Sequence, residues 1–354
     1  MIDLPPIEPG AAEFEADYYG AATLIARKLG FKSTPSTTAD WFHGWNCDRL
    51  LDTNWISPNS HPSRTVLSSN KEITNFFISK GFKNTFTVGL PFLYAETPPV
   101  SKIPSSLLVM LPHRTTHSKN HDHDSITEFF KANKDRIDKF SVVAVCVSGS
   151  CAQDQGYIDF IKTMGYDVLV GAWIFDRNAL VRMKMIFKSF STILTNSIGS
   201  HIPYAAHCGA RIIISKPLST IDWQSLSKTE PQFIRFPYLV DALKKESIEN
   251  SPEKLFPIIF QEDQCLGELK NWADNELGAP YIREPAEIAA LLGWFEGTRE
   301  AAKEALRQGH FVAKLLPAAW NFPQKASSAL LSSVSPQGLK PRLNLGCGSQ
   351  VHPE

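Results

Sequence analysis

Residues able to do chemistry gather at two places in this chain. The first is TNSIGSH, from Thr195 to His201, inside the longer run 192–217. A β-rich stretch ends in Thr195 and Asn196, turns through Ser197-Ile198-Gly199-Ser200, enters a short helix, and reaches Gly209 ahead of a second apolar strand over 210–215. Gly199 lets a backbone come close to a ligand, Ser200 is a helix-capping residue type, and the first N–H groups of any helix lack internal partners. An anion such as phosphate would satisfy those donors and the positive end of the helix dipole. An ordinary capped helix packed on a sheet leaves the same pattern, so both readings stand. The spacing is neither GxGxxG nor a P-loop, which points away from dinucleotides and NTPases.

The second place is PHRTTHSKNHDH, 112–123, directly after an apolar strand. His113 and Arg114 follow the strand end and are placed to meet a phosphate. His117, His121 and His123 add to a histidine-rich loop, but no HExxH or thiolate spacing accompanies them, so the expectation is no metal. A third candidate is His43 in WFHGW (Trp41 to Trp45), at the end of a short β-like run and beside Gly44; it reads equally as a site residue and as a histidine packed between tryptophans.

Elements able to position these residues follow from periodicity. Residues 11–29 carry Phe14, Tyr18, Ala21, Ile25 and Leu29 at helical spacing, and 71–80 reads as a helix ending at Gly81. Strands are expected within 36–45, over 64–68 and over 84–90, with 55–62 as loop. A proline-rich segment, 96–104, reads as a linker. Strands at 107–111, 141–147 and 167–170 then alternate with helices at 125–133, 155–164 and 177–190, which is the pattern of a doubly wound parallel sheet. Ligands in such sheets bind beyond the carboxyl ends of the strands, which selects the loops at 112–123, 148–154, 171–176 and 197–201. Residues 220–300 read as polar helices, 300–316 as one more helix, and 317–341 as a Ser/Pro linker. RLNLGCGS, starting at Arg342, resembles the first motif of S-adenosylmethionine-dependent methyltransferases, and the natural protein is expected to continue beyond it.

Composition bounds the function. Lys+Arg and Asp+Glu are both 36, so a strongly basic nucleic-acid binder is not expected. Six cysteines without a CxxC pair fit a reducing compartment. No signal peptide or run of twenty apolar residues is seen, so the expected location is cytoplasmic, at the inner face of the membrane if at any, with at most peripheral contact.

Several of these motifs together resemble bacterial surface-polysaccharide (O-antigen or capsule) glycosyltransferases: WFHGW, GLPF from Gly89, LPH from Leu111, the 171–176 segment with Arg182, and TNSIGSH with Tyr204, Ala205 and Gly209. The likeness spans about 11–295. It implies an α/β, GT-B-like fold, two Rossmann-like domains facing a cleft with a helical C-terminal tail: 1–100 on the acceptor side, 101–217 holding a nucleotide sugar, 218–316 packing on both, and 317–354 as linker and truncated methyltransferase start. It implies donor binding by His113, Arg114, Thr115, Ser197, Gly199, Ser200, His201 and Tyr204, and catalysis by His43, Asp176 and Asp154. Asp176 reads equally as the N-cap of the helix that follows it. The implied partners are a nucleotide-sugar donor and a glycan acceptor, lipid-linked or free, with no required cofactor; S-adenosylmethionine would enter only with a full methyltransferase domain. Two competing readings are a glycan-recruiting N-terminal region of a methyltransferase and a sugar-phosphate epimerase or phosphorylase of the same shape.

Overall fold

The computed structural model describes residues 2–112, 122–219 and 222–294. The helix expected at 300–316, the linker and the RLNLGCGS motif lie outside the described residues.

Two parallel sheets organise the chain. The smaller has the order β1 (Asp40–Trp41), β2 (Val66–Ser68), β3 (Thr85–Thr87), with Asp40 opposite Val66 and Leu67 opposite Phe86. Its strands are only two or three residues long, and their burial supplies what so short a ladder cannot: Trp41, Val66 and Leu67 are fully enclosed. Helix Lys71–Ser79 starts where the Asn70 side chain accepts the Ile73 N–H, and packs Phe77 on this sheet.

The larger sheet has the order β6-β5-β4-β7-β8: β4 (Ile103–Met110), β5 (Val142–Val147), β6 (Asp167–Val170), β7 (Phe190–Thr195) and β8 (Arg211–Ile214), all parallel. Its strands read as near-continuous apolar runs because both faces are covered. On one face Leu107, Val109, Val145 and Leu194 meet Ile126 and Phe130 of helix His123–Ala132, and Tyr157 and Ile161 of helix Gln155–Thr163. On the other face, by the two-residue alternation of a strand, Leu108, Cys146 and Ile193 join Met183 and Phe187 of helix Ala179–Ser189 and Ile202 and Ala205 of helix His201–His207. The strand order reverses between β4 and β7, and a crevice opens at their carboxyl ends.

The second apolar face continues without a break into the smaller sheet, through Phe92, Trp41, Leu67 and Phe77. Helices Leu266–Leu277 and Pro285–Leu291 close the same core with Leu269, Leu277 and Ile288. The joint is tight: Leu90 N–H donates to the Leu277 carbonyl at 2.9 Å, and a Cβ on Gly278 would lie 1.9 Å from the Ser69 carbonyl oxygen. Two parallel α/β sheets thus share one side with a helical C-terminal part.

The N-terminal segment runs back over the larger sheet. Pro9 bridges Asp176, Gly10 N–H donates to the Phe175 carbonyl at 2.7 Å, and Arg177 N–H donates to the Glu8 carbonyl at 2.9 Å. Among the described residues no helix is long and apolar enough to cross a membrane.

Candidate functional site

A cavity of about 100 Å³ lies at the crevice between β4 and β7. Its floor comes from the strand ends Met110, Leu111 and Pro112, from Cys146, Val147 and Ser148, and from Ala172. Leu180 and Met183 form one side, and Ser197, Ser200, His201 and Tyr204 another. His43 and Tyr19 face them from the N-terminal half. Apolar walls with a few converging polar groups are the usual make-up of a small-molecule pocket.

His43 is buried, with its ring 5.2 Å from the rings of both Tyr18 and Tyr19. Its packing partners are thus tyrosines rather than the tryptophans beside it in sequence, and it is at once packed and part of the cavity wall. Its Nδ1 has no hydrogen-bond partner among the described residues. Removal from water disfavours the charged ring and pushes its pKa down to about 4. The imidazole is therefore neutral at physiological pH, and can accept a proton or exchange hydrogen bonds with a hydroxyl.

Tyr19 reaches the cavity through an unusual backbone, φ 57 and ψ 17, a left-handed conformation uncommon for a bulky residue. Its N–H donates to the Ile174 carbonyl at 2.9 Å, which fixes this turn onto the larger sheet.

The turn after β7 is built from its own hydroxyls. Thr195 Oγ1 accepts the Ser197 N–H at 3.1 Å and lies 3.2 Å from His201 Nε2. Ser200 does not cap the helix it precedes. Its φ of −58 and ψ of −23 are already helical, and its Oγ accepts the Trp45 N–H at 2.7 Å, a direct contact with the loop that follows β1. Tyr204 donates its hydroxyl to the His43 carbonyl at 2.7 Å and stacks on Phe92 with ring centres 3.9 Å apart. Gly199 is buried within the same turn.

The two carboxylates expected to do catalysis lie outside the cavity lining. Asp176 is fully buried, accepts the N–H groups of Glu8 and Asn178 at 2.9 Å each, and faces Arg182 Nε at 3.7 Å. The helix it was expected to cap begins at Ala179, so the carboxylate instead ties the N-terminal segment to the 176–178 turn. Arg182 completes this knot by donating to the Pro5 carbonyl and, at 2.6 Å, to the Val170 carbonyl. Asp154 is exposed and caps helix Gln155–Thr163 by accepting the Tyr157 N–H at 3.1 Å. Each carboxylate thus accepts one or more backbone N–H groups away from the cavity lining.

His113, Arg114 and Thr115 lie outside the described residues, while Leu111 and Pro112 just before them line the cavity. Among the described residues no group of three or more His, Cys, Asp or Glu side chains gathers where a metal ion could be held. Tyr19, Leu180, Met183 and Cys146 were not singled out by sequence; the YYG ahead of an apolar helical run was the available signal for the first, and the others read simply as core.

Neither a family model nor a curated protein matches the chain. Among solved structures it is similar to a mutant of S. aureus TarM in complex with fondaparinux, alpha-GlcNAc-glycerol and UDP, with 10% identity and a TM-score of 0.30 over 72% of this chain and 54% of that one. The chain thus spans about half the length of that structure.

Proposed function

We propose that the chain is a glycosyltransferase that moves a sugar from a nucleotide-sugar donor to a glycan acceptor, of the kind found in growing bacterial surface polysaccharides. The observation that carries this reading is the cavity at the β4/β7 strand reversal, with neutral, buried His43 facing the Ser197–His201 turn across it. Strand reversals of this kind are where open parallel sheets hold nucleotides.

In this reading His201 and the Ser197 hydroxyl, which line the cavity, meet the donor phosphates, and the donor-binding role expected from sequence for His113, Arg114 and Thr115 is part of the same proposal. The acceptor hydroxyl attacks the anomeric carbon while the bond from that carbon to the phosphate oxygen breaks. The nucleotide leaves with the bonding electrons, and the acceptor proton passes to His43. An imidazole with a pKa of about 4 is a weak base. A bound phosphate nearby favours the charged ring and raises that pKa, so the base gains strength when the donor is present. Asp176 and Asp154 take no part in this scheme, because neither lines the cavity.

Thermal denaturation with CMP, UDP or GDP, followed by a screen of nucleotide sugars for transfer, tests the proposal. The expected outcome is a raised Tm with one nucleotide, abolished in His201→Ala, and transfer from a sugar carried by that nucleotide. Absence of both a shift and turnover across the whole panel would sink it.

A further inference from the structure

His43 belongs to a loop that leaves the smaller sheet, yet its backbone is held by the larger one. The carbonyl of His43 accepts the Tyr204 hydroxyl at 2.7 Å, and the N–H of Trp45 donates to Ser200 Oγ at 2.7 Å. The peptide groups on either side of Gly44 are thus gripped by two side chains one helical turn apart. Tyr204 is itself fixed, stacked on Phe92 at an interplanar angle of 6°. The loop has a further anchor: the Trp45 indole donates to Glu276 at 2.6 Å, and the other oxygen of Glu276 takes Arg49 at 2.6 Å. Removed from water, such bonds are stronger and hold their partners more rigidly than surface ones.

The gripping side chains start from the same stretch that presents Ser197 and His201 to the cavity. Anything bound against that stretch therefore meets His43 at a spacing set by protein hydrogen bonds rather than by a free closure of two lobes. We propose that Tyr204 and Ser200 are positioning residues that hold the His43 loop against the Ser197–His201 turn, which reassigns their hydroxyls from the donor to the opposite wall. The consequence for turnover rests on the glycosyltransferase reading; the clamp itself does not.

The test uses the full chain with Tyr204→Phe, Ser200→Ala and the double variant, read by NMR of isotope-labelled histidine side chains, with His43→Gln assigning the His43 signals, and by donor turnover. In the unaltered protein the His43 ring is expected to stay neutral across the neutral pH range. In the double variant, with circular dichroism unchanged, it should begin to titrate toward the ordinary histidine range, and kcat should fall by about 10- to 100-fold with KM little changed. Tyr204→Phe retains the ring stacked on Phe92 and is expected to give part of both effects; should the double variant fail to fold, this variant decides alone. An unaltered His43 titration in folded variants would overturn the proposal. If the unaltered protein turns over no donor, the functional reading fails while the NMR comparison still decides the clamp.

Discussion

His43 has a thermodynamic signature that can be read without any substrate. In the fold its ring resists protonation down to about pH 4, whereas the unfolded chain protonates it near the ordinary histidine value of 6.5. Between those values the unfolded state binds the extra proton, so the native state loses stability as pH falls from 6.5 toward 4, by up to about 3 kcal/mol from this one group. Urea unfolding at pH 7 and pH 4.5 should show this loss, and His43→Gln should show less of it; equal losses in both proteins would mean that the ring is not held neutral by burial. Asp176 and Asp154 show what a residue type does not carry with it, the groups that surround it in the fold. Both carboxylates stand near strand ends, as catalytic groups in this architecture would. One is knotted to Glu8, Asn178 and Arg182, the other to the start of a helix.

Among the elements, those whose local signals agreed with their packing were legible. The strand at 167–170 is found as expected, and the helix expected over 71–80 runs from Lys71 to Ser79 because Asn70 caps it. The helix expected over 11–29 is instead a 3-10 turn, Glu15–Gly20, followed by helix Ala21–Lys28. Its apolar spacing is real, but Tyr19 is drawn to the Ile174 carbonyl and Gly20 packs against the Arg177 backbone, contacts between distant parts of the chain that periodicity does not contain. Likewise the segment expected as loop over 55–62 overlaps helix Thr53–Ile56, which Asp52 caps. Of the cavity lining, His43, Ser197, Ser200, His201 and Tyr204 were among the residues singled out by sequence, while Leu180, Met183 and Cys146 carried no mark distinguishing them from core. The joint between helix Leu266–Leu277 and the smaller sheet has a sharp test. At Gly278, φ is +80 and the space for a Cβ is taken by Ser69, so Gly278→Ala should destabilise by about 2–5 kcal/mol in chemical denaturation. Gly81→Ala, with φ +91 and open space around it, should lose only about 1–2 kcal/mol. Equal losses would show that the helix does not press on the sheet there.

At the scale of the whole molecule, the unbroken apolar core is the governing feature. Leu67 of the smaller sheet with Phe77 packed on it, Ile193 of the larger with Phe187 packed on it, and Leu277 and Ile288 from the closing helices belong to one cluster. Residues that share a core lose their packing together, so the described chain is expected to unfold in a single transition, with tryptophan fluorescence and far-ultraviolet circular dichroism tracing the same curve. Two separated transitions would assign the sheets to independent units. Truncating a shared contact should act on both: Phe187→Ala is expected to lower stability by about 3–5 kcal/mol without splitting the curve.

The closing helices also bear on how the protein is made. A ribosome delivers β1 to β3 early, but Leu277, Ile288 and Leu292, which cover the core those strands join, are synthesised about two hundred residues later. During that interval the nascent smaller sheet offers an incomplete apolar surface, the kind of transiently exposed face through which newly made chains associate.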